Sequence, residues 1–306
     1  MRIFDRAQIV AALDEAAALA AVEEGFRRMH AGQAQLTAVG HLSFTEPPGD
    51  AHVKGAYLAG DPVFVIKVAN SFYRNPERGL PSSHGFMAVM DAATGQLLGL
   101  LNDEGWLTDQ RTAMAGTIAA RAIVRPGSRV LGIVGSGIQA RLQARLLARL
   151  LGFDSLLVWA RDDGKAQALA AELGGEAVSL PRLCDRADLI VTTTPSTTPL
   201  LSLDMVRSGT RIVAVGADAP GKQELAVDLL AGARLVVDSR EQCVDHGDSG
   251  WAVRAGLVQA ASLIELGALL TTPRIFDDDA IVIADLTGVA VQDAQIAKTA
   301  WLALNA

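Results

Sequence analysis

The stretch Arg129 to Ala140, RVLGIVGSGIQA, constrains the rest of the chain more than any other. Val130, Leu131, Ile133 and Val134 form an apolar run too short for a buried helix and rich in β-branched residues. It reads as a central parallel strand covered on both faces. Gly135, Gly137 and Ala140 then give the spacing G-x-G-x-x-A where the strand turns into a helix. Gly135 permits the tight turn, Gly137 has no Cβ to block a pyrophosphate, and Ala140 allows close helix–strand packing. The helix predicted over Ile138 to Leu151 starts with free N–H groups and the positive end of its dipole, an anion site. Gly135, Ser136, Gly137, Ile138 and Gln139 are therefore the candidate cofactor-binding residues. A lone turn of this kind also reads as purely structural. Here a strand precedes it, a helix follows, and five more strand-like runs come after.

Those runs lie at 156–160, about 176–179, 188–193, 211–215 and 234–238, alternating with helical stretches. With 129–134 they make the six strands of a complete doubly wound parallel sheet, a Rossmann-type α/β fold. Another helix is expected over about Leu257 to Leu269. Ile281 to Asp285 reads as a last strand, followed by Thr287-Gly288 and a helix from Val291 to Leu304. With the six-strand sheet full, this C-terminal segment is expected to return to the first domain.

The N-terminal part has a different rhythm. Asp5 with Gln8 makes a capping box, and a long helical pattern runs through Ile9, Leu13, Val22, Phe26 and Met29. From Leu36 polar and apolar residues alternate loosely, and Pro47-Pro48-Gly49 marks a loop. Val53 to Leu58 and Val63 to Val68 read as strands, and Asn75 to Pro81 as loop. Phe86 to Met90 and Gln96 to Leu101 form a hairpin around Ala-Ala-Thr-Gly. Thr108 is placed to cap a helix that runs through Met114 and Ile118 and stops before Pro126-Gly127, bridging the domains. The expected division is 1–112 with 286–306 as a second, α+β substrate-binding and dimerisation domain, and 113–285 as the dinucleotide-binding domain.

Composition narrows the partners. In 306 residues, half are apolar, a fifth are charged and the net charge is −7, so no basic stripe is available to neutralise nucleic-acid phosphates. The start MRIFDRAQIV lacks a signal-peptide core, and no run approaches a membrane span. Cys184 and Cys243 are not in a C-x-x-C pair and read as reduced, buried thiols of a cytoplasmic protein. His52, His84 and His246 are scattered without metal-ligand spacing, so metal catalysis is not expected.

Five segments, FVIKVANSFYRNPERGLPSSHG, LLNDEGWLTDQRTAMAGTIAARAI, GIVGSGIQA, VGADAPGKQEL and GVAVQDAQIA, together resemble the ornithine cyclodeaminase/μ-crystallin family. The L-T-x-x-R-T-A and G-A-D-x-P-G-K-x-E-L pieces are far more specific than the glycine turn, and the resemblance runs nearly end to end. It implies a homodimer joined through the non-Rossmann domains and a nicotinamide cofactor. It also implies chemistry at the Cα–N bond of amino or imino acids: imine reduction, amino-acid dehydrogenation or cyclodeamination.

Such a substrate carries a carboxylate beside the reacting carbon, so its site needs fixed cations. Lys67 ends the apolar run VFVIK, where a charge is expensive without a partner. Arg111 lies one turn into the bridging helix and offers a bidentate fork. By resemblance both hold the substrate carboxylate, Lys67 also taking part in catalysis. The alternative is that Lys67 snorkels at a strand end and Arg111 pairs with Asp103, Glu104 or Asp109. Asp218 follows the strand-like RIVAVGA, at the carboxyl end where doubly wound folds place ligands. By resemblance it manages the proton on the substrate nitrogen; otherwise it caps the turn before Pro220-Gly221. Lys222 either pairs with Glu224 or orients Asp218.

Ala160 stands where an acid selective for NAD is expected, and Arg161 follows it, placed to meet a 2′-phosphate. That tilts the expectation toward NADP(H) over NAD(H), although Asp162 and Asp163 come just after. Thr193 and Thr194, after the fourth strand, are candidates for cofactor contact or a plain polar strand end. By resemblance Thr112 contacts the pyrophosphate. One departure stands out. Cyclodeaminases of this family carry an arginine in a first-domain strand for the carboxylate, whereas QLTAVGHLSF has none, and His41 is its nearest candidate. The leading expectation is an NAD(P)H-dependent imine reductase or amino-acid dehydrogenase. The alternatives are an ammonia-eliminating cyclodeaminase that reoxidises its cofactor in each turnover, and a non-catalytic small-ligand binding protein.

Overall fold

The computed structural model describes residues 1–72 and 74–306; Tyr73, inside the segment FVIKVANSFYRNPERGLPSSHG, lies outside the described residues. The chain divides into two compact units, Met1–Arg111 with Ala290–Ala306 and Thr112–Val289.

The first unit opens with β1 (Arg2–Asp5), α1 (Arg6–Ala12) and α2 (Glu15–His30). It continues with β2 (Ala34–Leu36), β3 (Gly40–Thr45), β4 (Pro48–Leu58), β5 (Val63–Phe72), β6 (Ser83–Asp91) and β7 (Leu97–Asn102). Helix α3 (Trp106–Ile123) contains the boundary between the units. The Asp5–Gln8 capping box forms as expected. The single long helix does not: Leu13 is extended, and the Asp14 carboxylate accepts from Ala16 N and Ala17 N to start α2 afresh. Nor does Thr108 cap α3. Asp103 accepts from Leu107 N at 2.7 Å, after a reversal through Glu104 (φ 56°) and Gly105 (φ 86°).

In the second unit the elements are β8 (Val130–Val134), α4 (Ile138–Leu151), β9 (Ser155–Trp159), α5 (Asp163–Leu173), β10 (Glu176–Ala177), α6 (Leu180–Arg186) and β11 (Leu189–Thr192). They continue through β12 (Arg211–Ala214), α7 (Val227–Ala231), β13 (Arg234–Val237), α8 (Arg240–His246) and α9 (Ser249–Arg254). Last come β14 (Ile264–Glu265), α10 (Leu266–Thr271) and β15 (Val282–Asp285), before the chain re-enters the first unit as α11 (Ala290–Ala303).

Among the described residues the first unit's sheet runs β1-β7-β6-β5-β4-β2, with β3 also on β4. Side chains alternate across it. On β5 and β6, Val63, Val65, Lys67, Met87 and Val89 are buried, and α11 packs against both strands. Ile66, Val68 and Ala88 on the other face stay partly exposed, and Val53 and Phe86 are 39% and 37% exposed.

The second unit's sheet is parallel throughout, in the order β10-β9-β8-β11-β12-β15-β13-β14. It is the doubly wound Rossmann-type fold, but not one filled by six strands. β15 inserts between β12 and β13 and pairs with both, so the run 281–285 belongs to the sheet's middle. The helix expected over Leu257 to Leu269 is also broken, into a short turn, β14 on the edge of β13, and α10. Gly256 (φ 72°) ends the preceding helix. Cys184 and Cys243 are free and buried. Among the described residues no helix is long and apolar enough to cross a membrane.

Candidate active site

In the second unit the glycine turn follows β8. Gly135 has φ +132°, and a Cβ there would lie 2.2 Å from Thr193 Oγ1, so the turn itself demands glycine. Gly137 differs. Its φ is an ordinary −83°, a Cβ would meet nothing within 4 Å, and as N-cap of α4 it offers no side chain to cap the helix. The fold does not require glycine here, whereas a phosphate approaching the helix end does. Ser136 and Gln139 are half-buried and Ile138 is 47% exposed around this end. Ala140 is fully buried beneath it. These features fit a dinucleotide pyrophosphate.

The flanking candidates have mixed placements. Arg161 is exposed just past β9, while Asp162 is spent as the N-cap of α5, accepting from Lys165 N. Thr112 lends its carbonyl to Gln143 Nε2 at 3.1 Å, tying α3 to α4. Thr193 Oγ1 donates to Val134 O, and Thr194 donates through both N and Oγ1 to Glu224 Oε1. Both threonine side chains thus brace the strand end.

Glu224 entered the sequence analysis only as a possible partner of Lys222. Fully buried, it also accepts from Thr192 Oγ1 and Gly216 N, clasping the ends of β11 and β12. Burial pushes its carboxyl up to about 7 against these hydrogen bonds. Lys222 turns away from it and pairs with Asp218, whose side chain is 52% exposed. Behind Glu224, Asp248 accepts from Glu224 N and Leu225 N, and Asp285 accepts from Ser249 N. Burial raises both carboxyls, with Glu224 adding to the shift of Asp248 and Asp248 to that of Asp285.

The first unit holds the cations. Lys67 is not at a strand end: β5 runs on to Phe72, and Lys67 sits mid-strand on the face under α11. Its Nζ contacts Asp293 Oδ2 at 2.8 Å, and Arg111 Nε contacts Asp293 Oδ1 at 2.8 Å. Arg111 Nη1 also donates to Gln292 Oε1 at 2.7 Å. All four residues are buried. Arg111 thus meets Asp293 and Gln292 from α11, and Lys67, buried in mid-strand, does not snorkel. Desolvation pulls the Lys67 ammonium down to about 7, partly opposed by Asp293 and reinforced by Arg111 and Lys54. Burial works to raise Asp293, but Arg111 and Lys67 overcome it and hold the carboxyl below its usual range. Asp103 lies near enough to feel Lys67, and burial lifts it to about 6.

His41 faces His52 across β3 and β4, their rings stacked with centroids 4.7 Å apart. Because His52 and Lys54 are two apart on β4, and Lys54 opposes Lys67, the register puts His41, His52, Lys54 and Lys67 on one sheet face. Lys54, buried, is thus a second cation on that face besides Lys67. Its signal was the period-two spacing of HVK. Asp293 and Gln292 had only their place in GVAVQDAQIA, which says nothing about a partner far back in the chain.

The sequence profile of the ornithine cyclodeaminase/mu-crystallin family matches residues 3–302. The chain belongs to that family. A putative dehydrogenase of Rhizobium meliloti is 39% identical over 318 aligned positions, covering 100% of this chain and 96% of that one. Two solved structures share the whole architecture. An archaeal alanine dehydrogenase, solved as a dimer with bound NAD, has a TM-score of 0.92 at 31% identity, over 98% of this chain and 95% of that one. The iminosuccinate reductase of Paracoccus denitrificans, solved with NAD+, has a TM-score of 0.91 at 30% identity, over 100% and 96%.

Proposed function

We propose that this protein is an NAD(P)H-dependent oxidoreductase that reduces an imino acid to an amino acid, or runs the reverse reaction. The observation that carries this reading is the buried Lys67–Asp293–Arg111 cluster, two fixed cations sharing one carboxylate, in a chain whose relatives include an alanine dehydrogenase and an iminosuccinate reductase. Lys67 and Arg111 hold the substrate carboxylate, which places the adjacent α-carbon. A nicotinamide dinucleotide held by the Gly135–Gln139 turn would supply the hydride chemistry. Asp218 holds or takes the proton of the substrate nitrogen. Lys67, with its ammonium drawn down to about 7, is also suited to donate a proton near neutral pH. His41 shares the sheet face of Lys67 and stands at the edge of the substrate-binding set.

Gly135 to Gln139 receive the pyrophosphate at the start of α4, and Thr112, Thr193 and Thr194 shape the surrounding wall. Arg161, with no protein partner among the described residues, favours NADP(H), although the two solved relatives carry NAD. The half-exposed apolar face of the first unit's sheet supports a homodimer formed through that unit, as does the dimeric alanine dehydrogenase.

The test is a screen of α-keto acids with ammonia or methylamine, and of cyclic ketimines, following NADH and NADPH oxidation in parallel. Lys67→Ala and Asp218→Ala are expected to lose turnover while still binding cofactor. Wild-type kcat in Asp218→Ala on the true substrate overturns its role. Ammonia release from a diamino acid without net cofactor change shows a cyclodeaminase instead.

A further inference from the structure

The amide of Gln292 has only one orientation available. A guanidinium has no acceptor, so the atom facing Arg111 Nη1 at 2.7 Å must be the amide oxygen. That assignment leaves Nε2, a two-hydrogen donor, at the other end. Gln292 is 0% exposed, and Nε2 meets no acceptor among the described residues. Buried donors are nearly always satisfied, and one left open beside a functional cation calls for an explanation. Gln292 and Asp293 are consecutive on α11, and both hold the same guanidinium: Nη1 goes to Gln292 and Nε to Asp293. The open donor is thus fixed to the two-cation cluster, not adrift in the core. Both cations and the open N–H group seek the same kind of ligand atom, an anionic oxygen.

We propose that Gln292 is a specificity-determining residue whose Nε2 donates to the substrate's carboxylate, so that the site takes a free carboxylate and discriminates against the carboxamide. This rests on the reading of Lys67 and Arg111 as the carboxylate grip. A carboxylate accepts at both oxygens. A carboxamide turns one of them into an NH2 group, and that group meets either the cations or the Gln292 donor head-on.

The test is calorimetric titration of cofactor-loaded protein with L-alanine, L-proline, L-aspartate and L-pipecolate, each against its own carboxamide. Gln292→Met removes the donor at similar volume. Gln292→Glu keeps an oxygen for Arg111 and turns the donor into a second anion, so Arg111 stays held if the apolar variant is damaged. The expected result is that wild type prefers at least one acid over its amide. Gln292→Met should then weaken that acid about tenfold and shrink the acid-to-amide ratio, with Gln292→Glu weakening it further. If both variants keep wild-type acid affinity and ratio while Lys67→Ala and Arg111→Ala abolish binding, Gln292 is not a substrate contact and Nε2 holds only water. If no acid binds wild type, or Lys67→Ala and Arg111→Ala bind as wild type does, the carboxylate grip itself fails and this proposal fails with it.

Discussion

At the scale of single residues, Asp293 decides how much charge the first unit can bury. Lys67 and Arg111 both lean on it from inside the unit, and none of the three is more than a few per cent exposed. A buried pair of cations deprived of its counter-ion is left uncompensated, which is far worse than never having had the pair. Asp293→Ala should therefore destabilise the protein by about 3–5 kcal/mol, read as a large fall in Tm. An unchanged Tm would show that the cations do not depend on it. Lys67 itself was visible in the sequence as a charge in an apolar run, and Arg111 through its motif. Their partner was not, because pairs between β5, α3 and α11 are made by the fold and leave no local spacing to read.

Among the elements, α4 carries the clearest separation of folding from function. Gly135 is needed by its own turn, where Thr193 fills the place of any side chain. Gly137 is not, since open space surrounds it and its backbone is ordinary. Gly137→Val should accordingly unfold at nearly the wild-type Tm yet lose dinucleotide affinity at least about tenfold, because the side chain occupies the phosphate's approach to the helix end. Equal loss of Tm and affinity would make the glycine structural. The first unit's sheet is the other informative element. Its inner face is covered by α11, while Val53 and Phe86, 39% and 37% exposed, mark an apolar outer face. Val68→Lys on that face should convert a dimer to monomer in analytical ultracentrifugation; a persisting dimer places the interface elsewhere.

Over the whole molecule, pH should act through the buried carboxyls of the second unit. Glu224, Asp248 and Asp285 all lie above their ordinary values, chiefly through burial. Between the unfolded carboxyl range near 4 and the raised native values, the folded chain binds more protons than the unfolded one. Stability from these groups is thus fully present in acid and falls as pH rises toward 7 and 8. Lys67 acts oppositely and later: its lowered value makes the unfolded chain bind more protons above about 7, so its contribution rises with pH there. Thermal unfolding from pH 5 to 8 should show a declining Tm, flattened in Asp285→Asn, whose amide oxygen still accepts from Ser249 N. A Tm that rises steadily over that interval, or an Asp285→Asn profile parallel to wild type, overturns this account.

What the sequence determined by itself was local or periodic: the glycine turn and its helix, the Asp5 capping box, the alternation that makes a parallel sheet, and the cations placed in apolar surroundings. These follow from the geometry of a few consecutive residues, whose dihedral limits and spacing are printed in the chain. Tertiary structure alone decided that β15 enters between β12 and β13, that Lys222 turns to Asp218 and leaves Glu224 to clasp two strand ends, and that Gln292 and Asp293 meet Arg111 across some 180 residues. The Glu224 clasp and the Gln292–Asp293–Arg111 contacts depend on desolvation, which forces a buried charge or donor to find whatever partner the packed chain brings near, however far away it lies in sequence.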